Sequence, residues 1–380
     1  MKTKHSVPNF KLGKKNVGKN SPVFIIGEIG INYDGERKKA LKLISVAAKA
    51  GVDAVKFQIF KSKRMYSENA GSLIVASGDK VDIHDLIKKM ELPYEWLKEL
   101  KSYAEDRGVE FFASVCDEIS ADALFETKPC AFKIASYEIT HLPLLEYVTK
   151  KKLPIVLSCG GATMLEVSEA IQTIKEAGGK DIVLMHCISQ YDVPLTKLNL
   201  NVLKTLQLQF PDLVIGYSDH SAHPTLAPVT AVALGAKVIE KHITLDKSSE
   251  GPDHSFALEP DELAEMVQAI REAEQKLKDG ETVAVSQKTL GSSERMTFKN
   301  EVYVRKFAYR LLYATQPIKV GDLITTNNIA VLRSGENYKK YLKIGLHPRY
   351  YKLIVEPGVY RAQRNIKVGQ AISWNDILAR

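Results

Sequence analysis

Two lysines stand inside apolar, strand-like segments of this sequence, Lys56 within residues 54–58 and Lys133 within residues 131–135. An ammonium group in such a segment points into the protein and needs an anionic partner. That partner could be a nearby carboxylate such as Glu28 or Glu138. Hydroxyl groups at the ends of similar segments favour a bound phosphate and carboxylate instead. The residues that carry them are Ser114, Ser136, Ser158 and Ser218.

Two histidines, His220 and His242, end the last two apolar segments. Imidazole is a common ligand of borderline divalent ions, and two imidazoles leave coordination positions open for a substrate. Either histidine alone would be expected to be structural or solvated, but their matching positions favour a metal site. His223 and His254 are expected in solvated loops, and His186 is expected to be structural.

Glu28 follows the apolar segment 23–27 and precedes Ile-Gly-Ile-Asn. A carboxylate at that depth could act as a general base, polarise a water molecule or anchor a lysine. The sequence leaves these three roles open.

The elements that position these residues alternate between short β-branched segments and amphipathic stretches from Val23 to about Asp279. Eight such units in about 250 residues predict a (β/α)8 TIM barrel, in which the carboxyl ends of the strands meet at one end. An open doubly wound sheet is the rival, but residues 27–35 lack its G-x-G-x-x-G pattern. The predicted strands are Val23–Ile26, Ala54–Gln58, Glu110–Ser114, Ala131–Ala135, Ile155–Ser158, Ile182–His186, Leu213–Tyr217 and Val238–Ile243. The predicted helices include Arg37–Ala50, Leu92–Arg107, Thr163–Ala177 and Pro260–Lys278.

An internal repeat lies near the end of the chain. Residues Ile318–Ile329 and Ile366–Ile377 share the pattern I-K-V-G-x-x-I-[ST]-x-N-[ND]-I. Each copy predicts a turn at glycine, a short strand and a capped helical turn, and two copies favour a small β-rich module. We therefore divide the chain into a barrel domain (1–282, with a hairpin or cap at 1–21 that plugs the barrel bottom), a linker (283–308) and a C-terminal module (309–380).

Composition narrows the function classes. The chain has no apolar run near the ~20 residues of a membrane span and no secretory h-region, so we expect no membrane association. None of the four cysteines forms a C-x-x-C pair, which favours reduced thiols and a cytoplasmic location. Residues 296–380 hold 15 Lys or Arg against 5 Asp or Glu. This basic excess is typical of a nucleic-acid or polyanion module, of a lid over an anionic substrate, or of a solubilising surface.

The strand ends resemble those of the sialic acid synthase family, whose members make N-acetylneuraminic, legionaminic or pseudaminic acid. The C-terminal repeat resembles the antifreeze-like (SAF) domain of that family, and the match covers nearly the whole chain in order. The segments that carry it are Gly27–Asn32, Val55–Gln58, Phe132–Ser136, Leu157–Gly160, Ile215–His220, Ile239–Asp246 and Gly251–Pro260.

The resemblance implies a transferase that condenses phosphoenolpyruvate with an N-acyl amino sugar, working as a homodimer in which each SAF domain covers the partner's site. It implies no nucleic-acid partner. Implied phosphoenolpyruvate ligands are Lys56, Ser114, Lys133, Ser136, Ser158, Ser189 and Ser218. Implied sugar contacts are Gln58, Tyr191, Asp253 and, from the partner chain, Arg333. Implied catalytic carboxylates are Glu28 and Glu138. Implied ligands of Mn²⁺, or of Mg²⁺ or Co²⁺, are His220 and His242.

The sequence departs from the family pattern at a few places. Tyr33 replaces the usual His or Asn, Ser189 replaces an Asn in many members, and Gly78 falls near an Asn that meets the sugar in some members. After Arg333, Ser-Gly-Glu-Asn-Tyr replaces Pro-Gly-x-Gly, which leaves the identity of the sugar open. Two alternative functions also stay open: a Schiff-base aldolase that uses Lys56 or Lys133, and a polyanion-binding protein that uses the basic C-terminal module.

Overall fold

The computed structural model describes residues 8–74 and 80–379, and its main feature is a closed ring of eight parallel strands. Each strand pairs with the strands before and after it, and the eighth pairs with the first. The predicted barrel is confirmed, and the open doubly wound sheet is wrong. The barrel strands are β1 (Phe24–Gly30), β2 (Ala54–Ile59), β3 (Glu110–Val115), β4 (Phe132–Ile134), β5 (Ile155–Ser158), β6 (Ile182–Cys187), β7 (Val214–Asp219) and β8 (Val238–His242).

The strands are apolar on both faces because helices cover the outer face and side chains fill the interior. Alternate residues point to opposite faces of a strand, so a run such as Phe24, Ile26 and Glu28 shares one face. The outer residues pack with the helices in one large cluster, and the inner residues near the start of the strands form a second apolar cluster. The interior therefore changes from apolar to polar along the strand direction.

One main helix follows each barrel strand. These helices are α1 (Arg37–Ala50), α2 (Leu97–Glu105), α3 (Glu118–Phe125), α4 (Leu142–Thr149), α5 (Met164–Glu176), α6 (Val202–Gln209), α7 (Leu226–Ala233) and α8 (Pro260–Lys278). Thr163 and Glu166 form a capping box at the start of α5. The predicted helix Leu92–Arg107 is too long, because Pro93 starts a separate 3-10 turn, Tyr94–Trp96, before α2.

An antiparallel hairpin, Asn9–Leu12 with Lys15–Gly18, closes the lower end of the barrel. Its Leu12 and Val17 are fully buried in the inner apolar cluster. Shorter helices lie in the connections between these elements and in the C-terminal region. They are Ser62–Met65, Ile83–Lys89, Gln287–Leu290, Val302–Ala308, Tyr338–Tyr341 and Tyr351–Ile354.

The C-terminal region holds two small antiparallel sheets around their own apolar cluster. The sheets pair Arg310–Ala314 with Ile329–Arg333, and Tyr360–Ala362 with Ile377–Ala379. The repeat copies meet where Ile318 and Ile366 exchange two backbone hydrogen bonds. The strand predicted after the glycine of each copy is reduced to one bridge residue, Leu323 in the first copy and Ala371 in the second. A strand begins at the last residue of each copy, Ile329 and Ile377.

No helix in residues 8–74 and 80–379 has both the length and the apolar character needed to cross a bilayer. Gly78, one of the departures from the family pattern, lies outside the described residues.

Candidate active site

The upper interior of the barrel is lined by charged and hydroxyl side chains that are all almost fully buried. They lie on the inward positions that follow the apolar ones on seven of the eight strands. The odd-numbered strands supply one carboxylate and three hydroxyls, and the even-numbered strands supply two amines and a second carboxylate. These residues are Glu28, Ser114, Ser158 and Ser218 from odd strands, and Lys56, Lys133 and Glu240 from even strands.

Lys56 is held by groups from the two neighbouring strands. Its Nζ lies 2.7 Å from Oε2 of Glu28 and donates to Oγ of Ser114 over 3.0 Å. Gln58 donates to the other oxygen of Glu28 over 3.0 Å. Of the three roles left open for Glu28, the structure contains the contact expected of a residue that anchors a lysine.

Lys133 reaches across the barrel. Its Nζ donates to Oγ of Ser158 over 2.6 Å and lies 3.5 Å from Oε1 of Glu240. The same oxygen of Glu240 accepts from Ser218 over 3.0 Å and lies 3.8 Å from Nζ of Lys56. Pairing of Lys133 with Glu138 is wrong, because Glu240 provides the carboxylate.

The two buried carboxylates have pKa values shifted in opposite directions. Burial raises the pKa of Glu28 above its ordinary value, although Lys56 opposes this. Burial alone would raise the pKa of Glu240 as well, but Lys133 and Lys56 bring it below its ordinary value. Carboxylates separated in this way serve different roles, one exchanging a proton and the other staying an anion.

Two more predicted ligands, Ser136 and Ser189, meet at Gly160. Oγ of Ser136 accepts from the backbone N–H of Gly160 over 2.9 Å. A Cβ on Gly160 would lie 2.4 Å from Oγ of Ser189 and 2.8 Å from Oγ of Ser136, so only glycine fits. Within the described residues, Oγ of Ser189 is buried without a hydrogen-bond partner.

The two predicted metal ligands lie side by side, with 5.3 Å between the ring centroids of His220 and His242. Nδ1 of His220 bonds the backbone carbonyl of Ile188 over 2.9 Å. Nδ1 of His242 is buried without a hydrogen-bond partner and lies 3.5 Å from Oδ2 of Asp253. Burial lowers the pKa of His242 and raises that of Asp253 to about 7, so His242 is a neutral imidazole and the contact is not an ion pair.

These contacts fit a divalent cation. A carbonyl bonded to Nδ1 of His220 sets the tautomer that leaves Nε2 as a ligand, which is the usual arrangement of metal-binding histidines. The unpartnered nitrogen of His242 suits the same purpose. In the described part of the chain, no three His, Cys, Asp or Glu side chains form a metal-binding cluster, so substrate or water would complete the coordination.

Two of the predicted sugar contacts, Tyr191 and Arg333, meet Tyr137 at the mouth of the barrel, beyond the carboxyl ends of the strands. Tyr191 stacks on His220 with 5.0 Å between ring centroids, and its hydroxyl lies 3.4 Å from that of Tyr137. Arg333 lies over the ring of Tyr137 and over that of Tyr66, at 5.3 and 5.7 Å.

Glu138 has contacts that differ from those of Glu28. It pairs with Arg310 and, at 2.5 Å, with Nη2 of the chain's own Arg333. Burial alone would raise the pKa of Glu138, but the two guanidinium groups lower it to about 2. Such a carboxylate holds Arg333 at the mouth more readily than it exchanges protons.

The departures after Arg333 pack against the loop that follows β2. Gly335 approaches Ala70 so closely that a Cβ would lie 2.4 Å from its carbonyl oxygen. The backbone N–H of Glu336 donates to the same carbonyl over 2.7 Å. Tyr33 belongs to the core instead, where its hydroxyl donates to the carbonyl of Met90 over 3.1 Å.

Sequence reasoning missed Glu240 and Arg310. Glu240 lies two positions before His242, so strand alternation places both inside the barrel and could have identified it. Arg310 carried no comparable signal. Lys241, which stands between Glu240 and His242, points out of the barrel, and its Nζ pairs with Oδ2 of Asp219 at 2.6 Å.

Histidines outside the predicted metal pair differ in their exposure. The solvated position expected for His254 is wrong, because its side chain is buried. Its Nδ1 lies 2.8 Å from Oγ1 of Thr244, and its Nε2 lies 2.9 Å from Oδ1 of Asp34. His223 is exposed and His186 is buried, as expected.

Comparison with known proteins agrees with this fold. The model of the NeuB family matches residues 43–282. The chain is 50% identical to the spore coat polysaccharide biosynthesis protein SpsE of Bacillus subtilis, over 98% of both chains. Its crystal structure superposes with a TM-score of 0.86, over 98% of this chain and 100% of that one.

Two further relatives are similar over most of the chain. One is a pseudaminic acid synthase of Campylobacter jejuni, 34% identical over 97% of this chain and 99% of that protein. The other is the solved N-acetylneuraminic acid synthetase of Leptospira borgpetersenii in complex with citrate. It is 32% identical, with a TM-score of 0.67, over 74% of this chain and 94% of that one.

Proposed function

Because the chain belongs to the NeuB family, we propose that it condenses phosphoenolpyruvate with an amino sugar and water to give a nonulosonic acid and phosphate. The observation that carries this proposal is the convergence of two ammonium groups and three hydroxyls inside the barrel, from Lys56, Lys133, Ser114, Ser158 and Ser218. An enol phosphate with a carboxylate is the kind of small anion that such donors bind.

The finer substrate assignment follows from the family and from the mouth. We propose an N-acyl amino sugar of the N-acetylmannosamine type, with contacts to Gln58, Tyr191, Asp253 and Arg333. The half-exposed ring of Tyr191 offers an apolar surface, and Arg333 offers donors for an acyl oxygen.

In the proposed reaction, carbon 3 of phosphoenolpyruvate attacks the aldehyde carbon of the open-chain sugar, whose oxygen takes up a proton. Water adds to the cationic carbon 2 and loses a proton. The bond between carbon 2 and the phosphate oxygen then breaks, and the new hydroxyl loses its proton, which leaves the ketone of the product and inorganic phosphate. The raised pKa of Glu28 suits the proton transfers, and Glu240 stays an anion that orients the two lysines. Alignment of the two substrates in a buried polar site supplies much of the rate.

A divalent cation, Mn²⁺ by preference or else Mg²⁺ or Co²⁺, would be held by His220 and His242 and would supply Lewis-acid polarisation of the sugar aldehyde. We assign Ser136 and Ser189 to the phosphate side, next to Gly160. The predicted catalytic role of Glu138 stays a prediction, and its two guanidinium partners support a role in holding Arg333 instead.

We also propose that the C-terminal region is a SAF domain, that two chains form a homodimer with exchanged SAF domains, and that the enzyme works in the cytoplasm. The exchange rests on the family resemblance. Within one chain, Arg333 meets Glu138 of the same barrel, which is the contact that an exchanged dimer would make between two chains.

A panel of N-acylated hexosamines and diaminohexoses, with phosphate release as the readout, tests the proposal. We expect sugar-dependent release with at least one member. Absence of release with all of them, from a folded protein supplied with Mn²⁺, would refute it.

A Schiff-base aldolase remains the second candidate, because burial lowers the pKa of Lys133 and so favours a nucleophilic amine. Borohydride reduction in the presence of pyruvate separates the two functions. An aldolase would be trapped as a covalent adduct, whereas the synthase would stay unmodified.

A further inference from the structure

A buried ion pair lies in the segment between the barrel and the C-terminal region. The side chains of Arg295 and Glu301 have no exposed surface, and Nη2 of Arg295 donates to Oε2 of Glu301 over 2.9 Å. Burial of two charges is costly unless further hydrogen bonds satisfy both groups. Both groups find those hydrogen bonds on the backbone of the barrel.

Glu301 joins two loops of the barrel. Its Oε1 accepts from the backbone N–H of Gly161 over 2.6 Å and from that of Ser189 over 2.8 Å. These amides belong to the loops that follow β5 and β6, two neighbouring strands. A single carboxylate oxygen therefore fixes the spacing of the two loops.

Arg295 binds carbonyl groups in the first loop and at the last residue of β6. It donates to the oxygen of Ala162 over 2.9 Å and to that of Cys187 over 3.2 Å. Thr297 and Arg305, from the same segment, each donate to the carbonyl oxygen of Gly161 over 2.7 Å. The segment thus holds both polar backbone groups of Gly161.

The two loops reach two hydroxyl groups of the proposed phosphoenolpyruvate site. Glu301 binds the amide of Ser189 itself and the amide of Gly161, which is next to Gly160. Gly160 in turn donates to Ser136, in the loop that follows β4. Gly160 packs closely against both serine hydroxyls, so a shift of the loop after β5 would change its contacts with them. A shift of the loop after β6 would move Ser189 itself.

We propose that Glu301 and Arg295 are positioning residues for phosphoenolpyruvate, so that the segment between the two parts of the chain belongs to the substrate-binding apparatus. The inference rests on the proposed function. Glu301 contacts Ser189, a proposed ligand, at its backbone amide and not at its hydroxyl. Arg295 contacts backbone carbonyl groups and Glu301. Both residues therefore act on the site through the backbone. Displacement of a substrate-binding group by about 1 Å is enough to reduce catalysis severely.

The substitution Glu301→Gln tests the inference, because it keeps the size of the side chain but places an amide where Arg295 needs an acceptor. We expect the affinity for phosphoenolpyruvate, measured by calorimetry without sugar, to fall about tenfold or more. The KM for the sugar should change by less than about twofold. Amide hydrogen exchange should become faster in peptides that cover residues 159–162 and 187–190.

Asp376→Asn is the matched control, since Asp376 is another buried carboxylate with an arginine partner, Arg364, in the C-terminal region. It should lower stability and leave the affinity for phosphoenolpyruvate unchanged. Should Glu301→Gln fail to fold, Arg295→Lys provides the same test, because lysine keeps the charge but cannot reach all three acceptors.

Two failures are distinguishable. If the wild-type protein does not bind phosphoenolpyruvate, the proposed function is wrong. The positioning role is tested separately, because unchanged hydrogen exchange in the two loops of the variant would overturn it. If the wild type binds phosphoenolpyruvate and a folded Glu301→Gln binds it equally well, the inference is overturned while the proposed function stands.

Discussion

Lys133 and Glu240 lie on β4 and β8, which face each other across the barrel, and their Nζ and Oε1 atoms approach to 3.5 Å. The contact crosses the barrel axis instead of joining neighbouring strands. Because Glu240 also meets Lys56 and Ser218, it connects both amines of the site to one anion.

Substitution of Glu240 by Gln should therefore destabilise the protein and abolish its activity. Two buried ammonium groups would lose their common counter-charge, and removal of one partner from a buried ion pair costs about 3 kcal/mol. Urea unfolding followed by circular dichroism measures the loss, with Glu95→Gln, at an exposed position, as the control. A Glu240→Gln protein as stable as the wild type would show that the lysines do not depend on this anion.

The Glu138 carboxylate should make stability depend on pH in the acid range. Its pKa of about 2 in the folded protein lies below the ordinary value of 4.5, so its contribution is complete above about pH 4.5 and is lost as the pH falls towards 2. The shift corresponds to about 3 kcal/mol at neutral pH. We expect the free energy of unfolding of the wild type to exceed that of Glu138→Gln by about this amount at pH 7, and by progressively less at pH 4 and pH 3. A difference that is independent of pH would contradict the assigned pKa.

Replacement of Arg333 by Ala should mainly weaken use of the sugar. Arg333 lies at the mouth with Tyr66 and Tyr137, and its ion pair is with Glu138 and not with the carboxylates that hold the lysines of the proposed phosphoenolpyruvate site. We expect the KM for the sugar to rise about tenfold, the effect of losing one hydrogen bond from a charged group. Steady-state kinetics with each substrate varied in turn measures this, and Arg333→Lys should be intermediate. An equal loss for both substrates would argue against this placement.

Removal of the proposed cation should stop phosphate release, and added Mn²⁺ should restore it. Binding itself is measurable by electron paramagnetic resonance of Mn²⁺, without turnover. We expect His242→Ala to lose the bound ion and His223→Ala, at an exposed loop histidine, to retain it. Full activity in excess chelator would remove the metal from the mechanism.

Much of the fold follows from local sequence patterns. Eight apolar segments separated by helical periodicity predict a barrel because parallel strands that are buried on both faces need helices between them. The position of Lys56 and Lys133 inside such strands, and of His220 and His242 at strand ends, is enough to predict an anionic substrate and a metal. The prediction of one helix over Leu92–Arg107 was wrong at its start, because Pro93 stands before a separate short 3-10 turn and not inside α2.

The partners of these residues were decided by the tertiary structure. Sequence offered Glu28 and Glu138 as equivalent carboxylates, yet closure of the barrel brings Glu240 to Lys133 and sends Glu138 to Arg310 and Arg333. Likewise, nothing local in residues 283–308 indicates that Glu301 holds the loops after β5 and β6. Periodicity reports which face a side chain occupies, whereas contacts between residues more than a hundred positions apart depend on strand tilt, register and the path of the chain.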